Sequence, residues 1–231
     1  MKRNRTVFGK GMVFPVLLGL AIAGTLLTAG VPRIWAQGPP PGGQGRPPAS
    51  PPTAGAHLEI MDGSMASYRV REQLAGIDFP NDAVGTTSAV SGTLVILADG
   101  SIDPSSKLTV GLRTLKSDQD MRDHFIQHRT LETDQYPLAV FVPTRIQGLP
   151  VMIPTMGQTG FHLTGNMTIH GVTKEITFAG IATFGRDSTA AGRATTDFTF
   201  ATFGITKPSL ARVMSVDDNI HLEIVFKFKR T

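Results

Sequence analysis

The chain contains no cysteine. Disulfides, cysteine-ligated zinc, thiol catalysis and attachment through a lipidated cysteine are thereby excluded, and stability has to come from a buried core. Acidic residues are missing from the first 36 positions, which hold five basic ones: Lys2, Arg3, Arg5, Lys10 and Arg33. Of 22 Lys and Arg in all, 17 remain in residues 37–231 against 18 Asp and Glu, a net charge of −1. The basic character therefore belongs to the N-terminal segment. The rest of the chain has no basic stripe, which argues against nucleic acid as a partner. It also lacks a glycine-rich phosphate-binding loop, and no serine motif accompanies its histidines.

What is present begins with MKRNRTVFGKGMVFPVLLGLAIAGTLLTAGV. Positive residues precede an apolar run from Met12 to Val31, the pattern of an export signal. Thr28, Ala29 and Gly30 suit cleavage after Gly30, and Ala36 offers a poorer second site with Ile34 at the −3 position. The run is also close to the ~20 residues that span a bilayer. Residues 1–36 thus read as a cleaved signal peptide or an uncleaved membrane anchor, with cleavage preferred. In either case the basic end stays cytoplasmic and the domain faces outward, periplasmic or extracellular. Residues 37–56, QGPPPGGQGRPPASPPTAGA, read as an extended Pro/Gly tether. The folded domain is expected over 57–231.

From there the signal is period-two alternation. Leu108, Val110 and Leu112 share one face of a strand, as do Phe161, Leu163, Met167 and Ile169. Ile176, Phe178, Ala182 and Phe184 make another apolar face, and Ala194, Thr196, Phe198 and Phe200 a further one. The closing NIHLEIVFKFKR puts Ile220, Leu222, Ile224, Phe226 and Phe228 on one side. Turn signals at Asp99-Gly100, Gly148-Leu149-Pro150 and Pro154 separate the runs. About eight antiparallel strands, apolar on one face, build a closed barrel or a sandwich. One stretch breaks the rhythm: Ser117 or Asp118 is expected to cap a short helix from Gln119 to Gln127, with Met121, Phe125 and Ile126 facing inward.

The order of MRDHF at Met121–Phe125, Tyr136-Pro137 followed by Phe141, LTGNMTIHGVTKEITF at Leu163–Phe178, Phe203-Gly204-Ile205 and DDNIHLEIVF at Asp217–Phe226 resembles the YceI-like, or polyisoprenoid-binding lipocalin-like, family. The resemblance covers roughly Ser64 to Lys229. It implies an all-β fold, an eight-stranded antiparallel barrel crossed by one short helix, in proteins that are exported and of which some hold a long isoprenoid or another amphipathic lipid. The stretch VREQLAGIDFPNDAVGTTSAVSG departs from the family's usual histidine-containing, apolar start.

The polar residues carry competing readings. His124 and His128 have the i, i+4 spacing of a metal pair, which would make the chain a metal-dependent hydrolase, but Asp123 points elsewhere on a helix, and a solvated helix face is preferred. Arg122 and Asp123 are expected to pin the helix to the barrel rim. His170, in the turn HGVTK, reads as turn-stabilising, with Gly171 supplying positive φ. His162 and His221 read as surface, and Asp217-Asp218 as a hairpin turn rather than a calcium loop. The resemblance turns the apolar faces into a tunnel lined by Phe141, Leu163, Met167, Phe178, Phe198, Phe200, Ile220, Leu222 and Ile224. The expected function is a binding protein, not an enzyme. It needs no metal or cofactor, and its partner is an amphipathic lipid such as a polyisoprenoid or an isoprenoid quinone. A structural surface domain with a solid core is the remaining alternative.

Overall fold

Strands whose every second side chain is apolar have one face to bury, and here they bury it inside a closed wall. The computed structural model describes residues 54–76, 78–150, 152–209 and 213–231. In chain order the elements are β1 (Ala54–Ile60), β2 (Met65–Leu74), β3 (Asn81–Thr87), β4 (Val90–Leu97), β5 (Lys107–Gly111), α1 (Asp120–Phe125), β6 (Leu138–Gln147), β7 (Gly157–Ile169), β8 (Val172–Phe184), β9 (Thr189–Thr199) and β10 (Val213–Arg230). A π-helical turn, Ile126–Thr130, follows α1, and a 3-10 turn, Phe200–Phe203, follows β9.

All pairings between neighbouring strands are antiparallel, and the circuit β1-β4-β5-β6-β7-β8-β9-β10 closes on itself when β10 pairs with β1. Ten segments make eight staves because two staves are broken. β1 and β2 follow one edge of β10 in succession, from Leu58 opposite Arg230 to Leu74 opposite Val213. The break between them is a tight turn with Gly63 at φ 85°. It is held where the Met61 N–H meets the Lys227 carbonyl at 2.8 Å and the Lys227 N–H meets Ser64 Oγ at 2.9 Å. β3 and β4 mirror this on the next stave, Thr87 facing Ala66 and Thr93 facing Glu59. The first strand begins at Ala54, three residues ahead of the boundary expected from composition. The rest of the N-terminal segment, including the expected export signal and most of the expected tether, lies outside the described residues.

One end of the barrel carries Leu74, Asn81, the His170-Gly171 turn and Phe200; α1 and its π turn are fastened at this end. The opposite end is floored by aromatic rings: Phe226 lies 5.9 Å from Phe161 and 5.5 Å from Phe228, centroid to centroid. Phe203, completely buried, packs edge-on against Phe198 at 4.8 Å. Among the described residues no helix is long and apolar enough to cross a membrane.

Four local expectations are corrected. Phe200 does not continue the β9 alternation: Thr199 and Thr202 form a capping box that turns the chain into the 3-10 helix at Phe200. The helical stretch starts at Asp120 and runs past Gln127 as the π turn to Thr130, and neither Ser117 nor Asp118 caps it. Its N-cap is Gln119, with no side-chain cap, while the Ser117 N–H donates to Asp123 Oδ1 at 2.7 Å. That bond turns Asp123 inward, so Met121, two positions earlier, faces solvent at 83% exposure. Finally, Asp217-Asp218 is no hairpin turn. It lies within β10, where Val216 faces Glu72 and Ile220 faces Val70, so β10 carries two extra residues as a bulge.

Candidate functional site

The barrel encloses a cavity of about 1360 Å³. Its hollowness shows in the burial of inward-facing side chains. Leu108, Val110, Leu222 and Ile224 lie on the inner face yet are only half-buried, because their remaining surface faces the cavity. Nearer the floor, Phe161, Phe184, Phe226 and Phe228 are buried. The residues expected to line a tunnel all reach this space: Phe141 from β6, Leu163 and Met167 from β7, Phe178 from β8, Phe198 from β9, Phe200 from the 3-10 turn, and Ile220, Leu222 and Ile224 from β10. Phe141 and Phe178 meet edge to face at 5.3 Å. Several rings lie against glycine backbone that has no Cβ. A side chain at Gly192 would meet Ile181 O at 2.0 Å and the Phe226 ring at 2.8 Å, and one at Gly85 would meet the Tyr68 ring at 2.2 Å.

The mouth is polar. On β2, Tyr68, Val70, Glu72 and Leu74 all point inward, so strand periodicity delivers a phenol and a carboxylate to an otherwise apolar wall. Arg122 of α1 reaches across, its Nη2 donating to Glu72 Oε1 at 2.7 Å and its Nη1 to Asp118. Asn81 Nδ2 donates to the same Glu72 oxygen at 3.4 Å. Desolvation lowers the guanidinium pKa, but Glu72 and Asp118 outweigh it and the net shift is upward. The hydrogen bond from Arg122 in turn holds the Asp118 carboxyl below its usual range. Burial pushes the Tyr68 phenol well above its ordinary value; Arg122 opposes this, and Asp123, Glu72 and Asp118 add to it. Tyr68 is therefore a neutral hydrogen-bond donor at any ordinary pH.

Arg122 and Asp123 pin the helix as expected, Asp123 through the Ser117 N–H and through Lys116 at 3.8 Å. His124 and His128 are exposed, their rings 4.4 Å apart, and His128 Nδ1 lies 3.2 Å from Asp134. Among the described residues no group of three His, Asp or Glu is placed to hold a metal ion. His170 and Gly171 form the two-residue β7–β8 turn with φ of 51° and 75°. His170 Nε2 lies 2.8 Å from Glu132 and its ring meets Tyr136 edge-on at 4.8 Å, which ties the segment after the helix to this hairpin. His162 is exposed, and His221 pairs with Asp197 at 2.9 Å.

Tyr68 and Glu72 were not singled out from the sequence. Their signal was present, since YRVREQL alternates Tyr68, Val70, Glu72 and Leu74 against Arg69, Arg71 and Gln73.

Residues 62–228 match the model of the YceI-like domain. The chain belongs to the YceI-like family. UPF0312 proteins of Pseudomonas putida strains W619 and GB-1 are each 34% identical to it over 135 residues, 54% of this chain. The match spans 65% of the length of these relatives. Among solved structures, a polyisoprenoid binding domain from Saccharophagus degradans, implicated in plant cell wall breakdown, superposes with a TM-score of 0.59 at 12% identity over 75% of this chain and 98% of that one. BcnA of Burkholderia cenocepacia superposes with a TM-score of 0.52 at 16% identity over 71% and 95%. At these identities the likeness is one of fold, and it places this YceI-like chain among closed barrels.

Proposed function

We propose that this YceI-like protein is an extracytoplasmic binding protein, not an enzyme, which holds an isoprenoid or another amphipathic lipid such as a quinone in its barrel. The observation that carries the reading is the cavity. At about 1360 Å³ it exceeds the ~300–1,000 Å³ of ordinary small-molecule sites. Its wall is aromatic and aliphatic except at the mouth, as a long apolar tail with one polar end requires. Burying such a tail gains ~25 cal/mol per Å² of apolar surface, so the tail needs no polar contact along its length. The description of the Saccharophagus neighbour as a polyisoprenoid binding domain supports the same ligand class. The hollow interior disfavours the solid-core alternative. Among the described residues His124 and His128 have no third ligand around them to support the hydrolase reading.

Export and outward orientation belong to the same proposal and rest on the basic start and the Met12–Val31 run. N-terminal sequencing from the native host tests them: a start between Val31 and Gly38 means release, and an intact N-terminus in the membrane fraction means anchoring. The ligand is tested by native mass spectrometry after gentle purification. A co-purified lipid is expected. A clean apo mass, with no uptake of prenyl or acyl ligands, overturns the proposal.

A further inference from the structure

We infer that the barrel mouth accepts a neutral hydrogen-bonding head group and discriminates against an anionic one. The inference rests on the lipid-holding reading and narrows its ligand class to prenyl alcohols, quinones and amides as against prenyl phosphates.

The charges at the mouth carry it. Apart from His124, the ionisable groups of fixed charge lining the cavity among the described residues are Glu72, Asp118, Arg122 and Arg129. Arg122 is the one of the two cations withdrawn from water, its side chain 14% exposed, and it is already held by both carboxylates. Asp123, also buried, is met by Lys116 at 3.8 Å and does not leave that cation free for a phosphate. A phosphate approaching Arg122 would have to displace Glu72, whose side chain is itself 8% exposed, and leave that carboxylate buried and uncompensated. Arg129 is exposed at the rim, where water and salt screen its attraction for an anion. The basic clamp that recognises phosphate, guanidinium groups free to fork onto oxygens, is therefore absent from the described part of the mouth.

What the mouth offers instead is neutral hydrogen bonding. The Tyr68 hydroxyl has no hydrogen-bond partner among the described residues and can donate to a carbonyl oxygen. Glu72 Oε1 receives Arg122 and Asn81, whereas among the described residues its second oxygen receives no such donor and can accept from a hydroxyl or amide. A quinone carbonyl can take the Tyr68 hydroxyl alone, and a prenyl alcohol or amide can also give its hydrogen to Glu72; none of them needs a charge.

The experiment titrates the delipidated full chain with a prenyl alcohol, a prenyl quinone and a prenyl diphosphate of one chain length, in the same detergent at neutral pH. The neutral ligands are expected to bind on the order of tenfold tighter than the diphosphate, and Glu72→Gln, by releasing Arg122 from one partner, to narrow that ratio. Diphosphate binding equal to or tighter than the neutral ligands overturns the inference while leaving the lipid-holding function intact. Failure of all three to bind overturns that function and the inference with it. The wild-type ratio decides the matter even should the variant not fold.

Discussion

Arg122 Nη2 lies 2.7 Å from Glu72 Oε1, a contact between residues fifty positions apart that fastens α1 to β2 at the barrel mouth. Both side chains are largely withdrawn from water, so neither charge tolerates loss of the other. Arg122→Met is expected to cost about 3–5 kcal/mol, because it strands a buried carboxylate, whereas Glu72→Gln together with Arg122→Met costs less than the sum of the two single changes. Urea unfolding of the four proteins of this cycle measures the coupling. Strict additivity would mean that the helix is held by something else.

Tyr68 gives a prediction at alkaline pH. Its folded-state pKa lies above that of the unfolded chain, at about 10. Above that pH the unfolded chain has released the proton and the folded chain has kept it. The associated stability is therefore fully present below about pH 10 and is lost as pH rises beyond it. In a Tyr136→Phe protein, which leaves Tyr68 as the sole tyrosine among the chain's two, the phenolate absorbance should appear only as the fold melts. Ionisation of Tyr68 in a fully folded protein near pH 10 would contradict its burial.

The His170 turn separates backbone from side chain. His170 sits at φ 51°, a region that costs a residue with a Cβ roughly 1–2 kcal/mol. Both His170→Ala and His170→Gly remove the contact with Glu132, but only glycine relieves the backbone. The alanine variant should be less stable than the glycine variant by about 1 kcal/mol. Equal melting temperatures would show that the turn adjusts freely.

Much of the wall was legible because alternation is a local property. The run from Ile220 to Phe228 names its inner face without help from any other strand, and it lies inward in the barrel. The misread places are those where a distant or non-periodic contact prevails. Met121 lies on the apolar side of an ideal helix, yet the Asp123–Ser117 bond sets which face turns inward. Phe200 keeps the parity of Phe198, but the Thr199–Thr202 box ends the strand between them. Asp217-Asp218 has the composition of a turn, and pairing with β2 on one side of the bulge and β9 beyond it keeps it in a strand. The cavity itself could not be read from alternation, since a solid sandwich has the same pattern. The half-exposed inner side chains of Leu222 and Ile224 distinguish the two.

Filling the hollow tests the central claim most directly. Leu222 and Val110 line the cavity and keep free surface toward it. A protein carrying Leu222→Trp and Val110→Trp should fold, shown by an unchanged or raised melting temperature, and should lose uptake of an isoprenoid quinone that the delipidated wild-type protein binds one to one. Undiminished uptake by the filled barrel would contradict the account, because the lipid would then sit somewhere other than the cavity.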